Sequence, residues 1–245
     1  MKIKYRILNY LIKEKSKQEC HAVLMDWNDY YQNLSEPNKK IFQIRTILFL
    51  KTTKFNSEKG FEISNKMKLI VSSAFVQITF GLNQDVLNEF NKIFIAPRPY
   101  KYKNGSNFYK GDVNAYTKTI NLSWPSVEKG FKISNDGLNL SIHEFGHCLI
   151  LENSKRSYLS RIFDEKELEL WKDIAKTKIA RVKNGRNRIL RDYAGSNLIE
   201  FFSVSLEVFF EKPDEFWRIE TELFNSMKRL LNQDPRNKTN PILKR

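Results

Sequence analysis

The sequence predicts an α+β domain that is mostly helical and carries a small β-sheet. Three observations lead there. Apolar residues recur at helical spacing over most of the chain, as in Met67, Ile70, Val71, Ala74, Phe75 and Ile78. Strand-like runs are short and fall in one stretch, between Lys92 and Trp124. A length of 245 residues suits one substantial core, and the apolar and charged fractions, 41% and 29%, are those of an ordinary globular chain. No internal repeat, low-complexity tract or apolar run of transmembrane length interrupts it.

Taken in order, Met1 to Lys17 is basic and amphipathic, with Ile3, Ile7, Leu8, Leu11 and Ile12 set among lysines. Its apolar part is too short and broken for a signal peptide. Contact with a membrane surface fits this composition, but a basic first helix or loose arm over residues 1–20 is the expectation. The main domain is expected over 21–232 and a polar, loose tail over 233–245. Ala22 to Leu34 reads as a short helix rich in aromatics, among them Trp27, Tyr30 and Tyr31. Ser35-Glu36-Pro37 starts the next helix, with serine as cap and proline in the first turn. Lys54 to Gly60 reads as a polar loop. Ser64 caps the helix of Met67 to Ile78, and Gly81 ends it as a left-handed residue.

Lys92 to Ala96, Phe108 to Ala115 and Thr117 to Trp124 read as strands, with a loop from Pro97 to Gly105. The run Thr119–Trp124 alternates faces. It is the candidate sheet edge along which an extended peptide could lie, and an ordinary half-buried strand fits the same pattern. Val127 to Phe131 suggests a turn of helix, and Asn135-Asp136-Gly137 a turn. Glu152 to Phe163 reads as an irregular basic segment on the rim of whatever precedes it. Asp164 opens a long helix with Leu168, Trp171, Ala175, Ile179 and Val182 on one face, ending near Gly185 and followed by a basic loop, Arg186 to Arg191. Pro213 to Leu231 is a further amphipathic helix.

The net charge is +14. Lysines and arginines are scattered rather than gathered on one helix or ribbon, so a solvated basic surface is expected and a nucleic-acid partner is not. Cys20 and Cys148 are the only cysteines, too few for a disulfide framework, which points to a reduced, cytoplasmic setting.

The informative stretch is Asn139 to Leu149, which contains His143-Glu144-Phe145-Gly146-His147. Histidines four apart on a helix project from one face and can hold two corners of a tetrahedral zinc site. Glu144 can lean over the open corner and exchange a proton with water there. The chain has only three histidines. A chance match to this spacing is expected in roughly one such chain in a hundred or fewer.

Leu198 to Phe210 is apolar nearly all round, broken only by Glu200 and Glu207, with Ser196 or Asn197 as cap. Buried carboxylates need partners. The two lie about 10.5 Å apart along the axis, so one ion does not take both. One of them is the best third ligand beside the histidines, with His21 as rival; the helix alone does not say which glutamate binds.

Together, Asp136-Gly137-x-Asn139-x-x-x-His143-Glu144-Phe145-x-His147-x-Leu149 and Tyr193-x-x-x-Asn197-x-x-Glu200-Phe201-Phe202-x-Val204-x-x-Glu207-x-Phe209-Phe210-Glu211-x-Pro213 resemble the MtfA-like (Mlc titration factor A) zinc-dependent peptidases. Phe80-Gly81-Leu82 and Leu122-Ser123-Trp124 fit the same pattern, and the Tyr193 to Glu200 spacing is similar to that of lethal-factor-type protease domains. The resemblance implies a zincin-like fold with the sheet beside the His-Glu-x-x-His helix. It implies one Zn2+ per chain on His143, His147 and Glu200, Glu144 as general base, and Tyr193 as oxyanion donor. Glu207 and Asn197 would support the ligands from behind. It also implies a cytoplasmic peptidase of aminopeptidase type acting on a peptide or protein, and family members include one that binds a transcriptional repressor of sugar uptake. Three positions depart from the pattern: Ile150 where Asp is usual, Ser203 where Ala is usual, and Gly146 where a small residue, often Ala, is found. The alternative function is a regulatory protein that sequesters a repressor-like partner and keeps a structural or vestigial zinc site.

Overall fold

The computed structural model describes residues 3–102, 107–157 and 160–243. Helices α1 (Ile3–Leu11), α2 (Glu14–Trp27), α3 (Asp29–Gln32) and α4 (Glu36–Thr52) precede strand β1 (Lys54–Ser57) and helix α5 (Asn65–Thr79). Strands β2 (Lys92–Ala96), β3 (Gly111–Asn114) and β4 (Thr119–Ser123) follow, then α6 (Trp124–Lys132), α7 (Leu140–Lys155) and α8 (Glu165–Lys183). A 3-10 turn, Asp192–Gly195, leads into α9 (Leu198–Glu211), α10 (Pro213–Ile219) and α11 (Thr221–Leu231). The mostly helical α+β class is as the sequence predicts. No helix among the described residues is long and apolar enough to cross a membrane.

The sheet order is β1-β2-β4-β3. β1, β2 and β4 are parallel, and β3 runs antiparallel to β4. Ile93 pairs with Ile120 and Ile95 with Leu122, and all four are buried, so alternate residues of the central strands join the core. The predicted substrate edge is corrected here. β4 lies between β2 and β3 and has no free side; the outer strand next to α7 is β3. Its sequence, Gly-Asp-Val-Asn, has one strong strand former, Val113. Lys54–Ser57, expected as loop, is the opposite edge strand, with only Phe55 apolar among its residues.

Several caps follow the sequence. Ser64 Oγ accepts from Met67 N, and Asp164 from Glu167 N. Gly81 does not take the left-handed conformation expected of it. It is required for closeness instead: a Cβ there would stand 2.4 Å from the Asn232 carbonyl oxygen. The helix expected over Ala22 to Leu34 is divided by Asn28, which caps α3 through Tyr31 N and donates to Ser73 Oγ. The final amphipathic helix is divided at Glu220, which Lys178 holds at 2.5 Å.

The segment expected as a basic rim from Glu152 is in its first part buried helix. Glu152 is fully buried and accepts from Asn88 N and Glu89 N while pairing with Arg156. Residues 158 and 159 lie outside the described residues, as do 103–106 of the predicted loop.

Both ends of the chain are more integrated than the sequence suggests. The division at residue 20 falls within α2, and Tyr5 and Ile12 are buried in the common core. After α11, Gln233 is fully buried, Asp234 pairs with Lys228 and Arg236, and Ser35 N donates to Thr239 O at 2.9 Å. The C-terminal segment is therefore packed rather than loose. Many of its contacts are polar, and its apolar ones, through Pro235, Pro241 and Ile242, follow no helical or strand period.

α7 and α9 pack side by side at the centre. Phe145 meets Phe49 and Phe75 on one side of α7, and Trp171 meets Phe201 and Phe202 beyond α9. Between the two helices, a Cβ on Gly146 would stand 2.7 Å from Ser203 Oγ and 3.2 Å from Ser203 Cα. Two of the three departures from the family pattern are thus in contact. The missing methyl on α7 makes room for the extra hydroxyl on α9, and the helices stay close enough to share one site.

Candidate metal centre

The site is built where the first turns of α7 and α9 meet. Asn139 caps α7 by accepting from Ile142 N, and Asn197 caps α9 by accepting from Ile199 N and Glu200 N. These caps fix the rotation of each helix, so that His143 and His147 face Glu200. The two Nε2 atoms are 3.0 Å apart. Glu200 Oε2 is 3.1 Å from His143 Nε2 and 3.3 Å from His147 Nε2.

This is the one group among the described residues whose geometry could hold a metal ion. The rival His21 lies elsewhere, bonded through Nδ1 to Tyr31 Oη at 2.7 Å.

Behind His143, His147 and Glu200 stands Glu207, buried two turns further along α9. His143 Nδ1 donates to its Oε1 at 2.5 Å, which leaves Nε2 to present its lone pair to the centre. Arg191 grips the same carboxylate with both terminal nitrogens, at 2.6 and 2.8 Å, and Asn139 N donates to Oε2 at 3.1 Å. Glu207 thus ties α9 to the cap of α7. Glu211, one turn on, accepts from Gly137 N and Leu138 N, so the same helix face also holds the turn into α7. Gly137 takes a positive φ of 78°, as that turn needs.

Three lone-pair donors crowd together at the centre, and Glu200 Oε2 is buried with no aligned hydrogen bond. Such an orphaned oxygen between two imidazoles is what a bound cation relieves. Burial opposes charge on Glu200, but His143, His147 and Tyr193 outweigh it and hold its carboxyl well below the usual range. Burial also opposes charge on His143, yet Glu200 and Glu207 raise its pKa to about 9. For Glu144, burial raises the pKa to about 8, against the pull of His143 and with the carboxylates of Asp112, Glu200 and Glu207 adding to it.

Tyr193 Oη donates to Glu200 Oε1 at 2.9 Å, and the ring is half exposed. Burial and Glu200 raise its pKa to about 12, so it keeps its proton as a donor. A cleft of about 760 Å³ is lined by His143, Glu144 and Tyr193, with Phe108, Tyr109, Leu138 and Leu140 among its apolar walls and Lys110 and Lys129 among its charged ones.

Two residues of the site escaped sequence reasoning. Arg191 reads along the chain as part of a basic loop, though the need of a buried Glu207 for a cation is a signal for it. Gly111 of β3 was not singled out. A Cβ there would stand 2.8 Å from Glu144 Oε1 and 2.7 Å from Leu140 Cδ1, so glycine lets the outer strand touch the motif helix. Ile150, the third departure, is partly buried against the core.

Comparison with known proteins agrees with this picture. The model of the glucose-regulated metallo-peptidase M90 family matches residues 4–231. An uncharacterised protein of Synechocystis sp. is 19% identical, over 87% of this chain and 83% of that protein. Mlc titration factor A of Escherichia coli strain 55989 is 22% identical, over 90% of this chain and 91% of that protein. With the family model spanning nearly the whole chain, the protein belongs to the glucose-regulated metallo-peptidase M90 family.

Proposed function

We propose that the protein is a zinc-dependent peptidase of zincin type, holding one Zn2+ through His143, His147 and Glu200. The observation that carries the reading is the convergence of two imidazoles and an unpartnered carboxylate oxygen, with Glu144 next to the first imidazole along α7. Two nitrogens and one oxygen are a donor set suited to catalytic zinc. Ligands about 2.0–2.1 Å from a tetrahedral zinc stand roughly 3.3 Å from each other, and the spacings of 3.0, 3.1 and 3.3 Å fit that figure. When bound, zinc polarises the scissile carbonyl and lowers the pKa of water to near neutrality.

Glu144 takes the proton from the attacking water and returns it to the leaving amine. Tyr193 turns its hydroxyl from Glu200 to the developing oxyanion. Glu207 and Arg191 keep His143 in the tautomer that presents Nε2. β3 offers its free side to an extended peptide. Removal of N-terminal residues, the aminopeptidase form of the reaction, and action in the cytoplasm complete the proposal. Two buried free cysteines support the reducing setting.

The test is Glu144→Gln. It is expected to keep zinc while peptide hydrolysis falls about 10²–10⁴-fold; activity near wild type would remove Glu144 from the mechanism. The name of the Escherichia coli relative supports a second reading, in which the chain sequesters a protein partner such as a transcriptional repressor. A purified partner bound equally by wild type and Glu144→Gln, with no hydrolysis by either, would favour it.

A further inference from the structure

The outward face of α1 is apolar where a surface helix is normally polar. Ile3, Ile7, Tyr10 and Leu11 are spaced as one stripe along the helix, and their exposures are 76%, 57%, 90% and 66%. The opposite face is already used: Tyr5 and Ile12 are buried, and Tyr5 Oη donates to Asp85 at 2.9 Å. The stripe therefore has no core of its own to enter, and apolar surface gathered in this way marks an interaction site.

Positive charge accompanies it along the chain. Arg6 on α1, Lys13 in the turn and Lys15 in the first turn of α2 are exposed, and among the described residues none of them forms an ion pair. The first turn of α2 is folded against α1, since Lys17 Nζ donates to Asn9 O at 3.3 Å. The nearby acid, Glu14, is taken by Lys17 at 2.7 Å.

We propose that α1 is an interfacial anchor for an anionic lipid surface. The stripe enters the boundary between headgroups and acyl chains, and Arg6, Lys13 and Lys15 lie on the lipid phosphates. Charge complementarity selects this occupant. A second copy of the chain would bring the same cations face to face, which opposes self-pairing. An acidic protein would need a groove to match, but the stripe is a ridge on one helix and lines neither the cleft nor the 540 Å³ cavity behind α7. A lipid surface needs no such shape. The anchor is one short helix, so binding is reversible and salt-sensitive.

The experiment is flotation of the full chain with phosphatidylcholine vesicles, with and without phosphatidylglycerol. Binding is expected only to the anionic vesicles and is weakened by salt. Ile7→Asp combined with Leu11→Asp is expected to lower the partition coefficient at least tenfold. Each of Arg6→Glu, Lys13→Glu and Lys15→Glu is expected to lower it about five-fold or more. All of these side chains point outward, so the thermal midpoint of each variant should match wild type and show that the fold is kept. Absence of binding to anionic vesicles overturns the proposal. So does binding that survives the paired aspartates, or a wild-type dimer that those aspartates turn into a monomer.

Discussion

The first turn of α9 and the stretch two turns further along it each carry one glutamate in an apolar helix, and the two carboxylates have opposite surroundings. Glu207 is saturated: His143, Arg191 and Asn139 N all donate to it. Glu200 receives one hydrogen bond on Oε1, from Tyr193, while Oε2 is buried beside two imidazole nitrogens with no aligned donor. A saturated buried carboxylate holds a structure together; an unsaturated one beside two imidazole nitrogens suits a cation. Equal helical phase therefore does not mean equal role. The neighbouring elements decide, with the histidines of α7 in front of Glu200 and Arg191 behind Glu207.

The largest effect that can break this contrast is Glu200→Ala. It should weaken zinc binding more than about a hundredfold, beyond what a supporting residue costs, and abolish hydrolysis with little change in the unfolding free energy of the metal-free chain. Glu207→Ala should behave differently. Zinc affinity should fall about 10–100-fold, and stability in a denaturant titration should fall by roughly 1–3 kcal/mol, because His143, Arg191 and Asn139 N lose their shared acceptor. If the two variants gave the same pair of changes, the contrast would be lost.

Gly111→Ala sharpens the picture from the other side of the cleft. The methyl group must displace Glu144 or Leu140, so kcat should fall roughly ten- to a hundredfold with zinc content unchanged. The smallest effect concerns Asp234, a saturated carboxylate far along the chain. Burial opposes its charge, but Arg236 and Lys228 hold its pKa down at about 2. Because the folded value lies below the unfolded one, its contribution is present above pH about 4 and is lost as pH falls toward about 2. Asp234→Asn should cost roughly 1–2 kcal/mol at neutral pH, and the difference from wild type should vanish at the acid end of a pH series of thermal midpoints.

How much of this could be read from the chain follows from where the signals lie. The His-Glu-x-x-His spacing and the two glutamates of α9 are local, one-dimensional patterns, and the residues they named meet in space. The strand order is not local. β3 was recognisable as a strand, but that it rather than β4 has the free side depends on a crossover between β2 and β4 that no spacing encodes. Arg191 and Gly111 act through distance, one by reaching Glu207 and the other by having no side chain near Glu144. The contact of Gly146 with Ser203 is similar: two departures that look independent along the chain become one accommodation in three dimensions. The packed C-terminal segment is not legible along the chain, because hydrogen bonds, ion pairs and isolated apolar residues such as Ile242 hold it without any periodicity.

The most direct test of the central claim is the zinc content of the purified chain by metal analysis, for wild type, His143→Ala and Glu200→Ala together. The account predicts about one zinc per wild-type chain, lost in His143→Ala and depleted in Glu200→Ala. A wild-type chain that holds no zinc after reconstitution, or a Glu200→Ala chain that holds it as tightly as wild type, would contradict it.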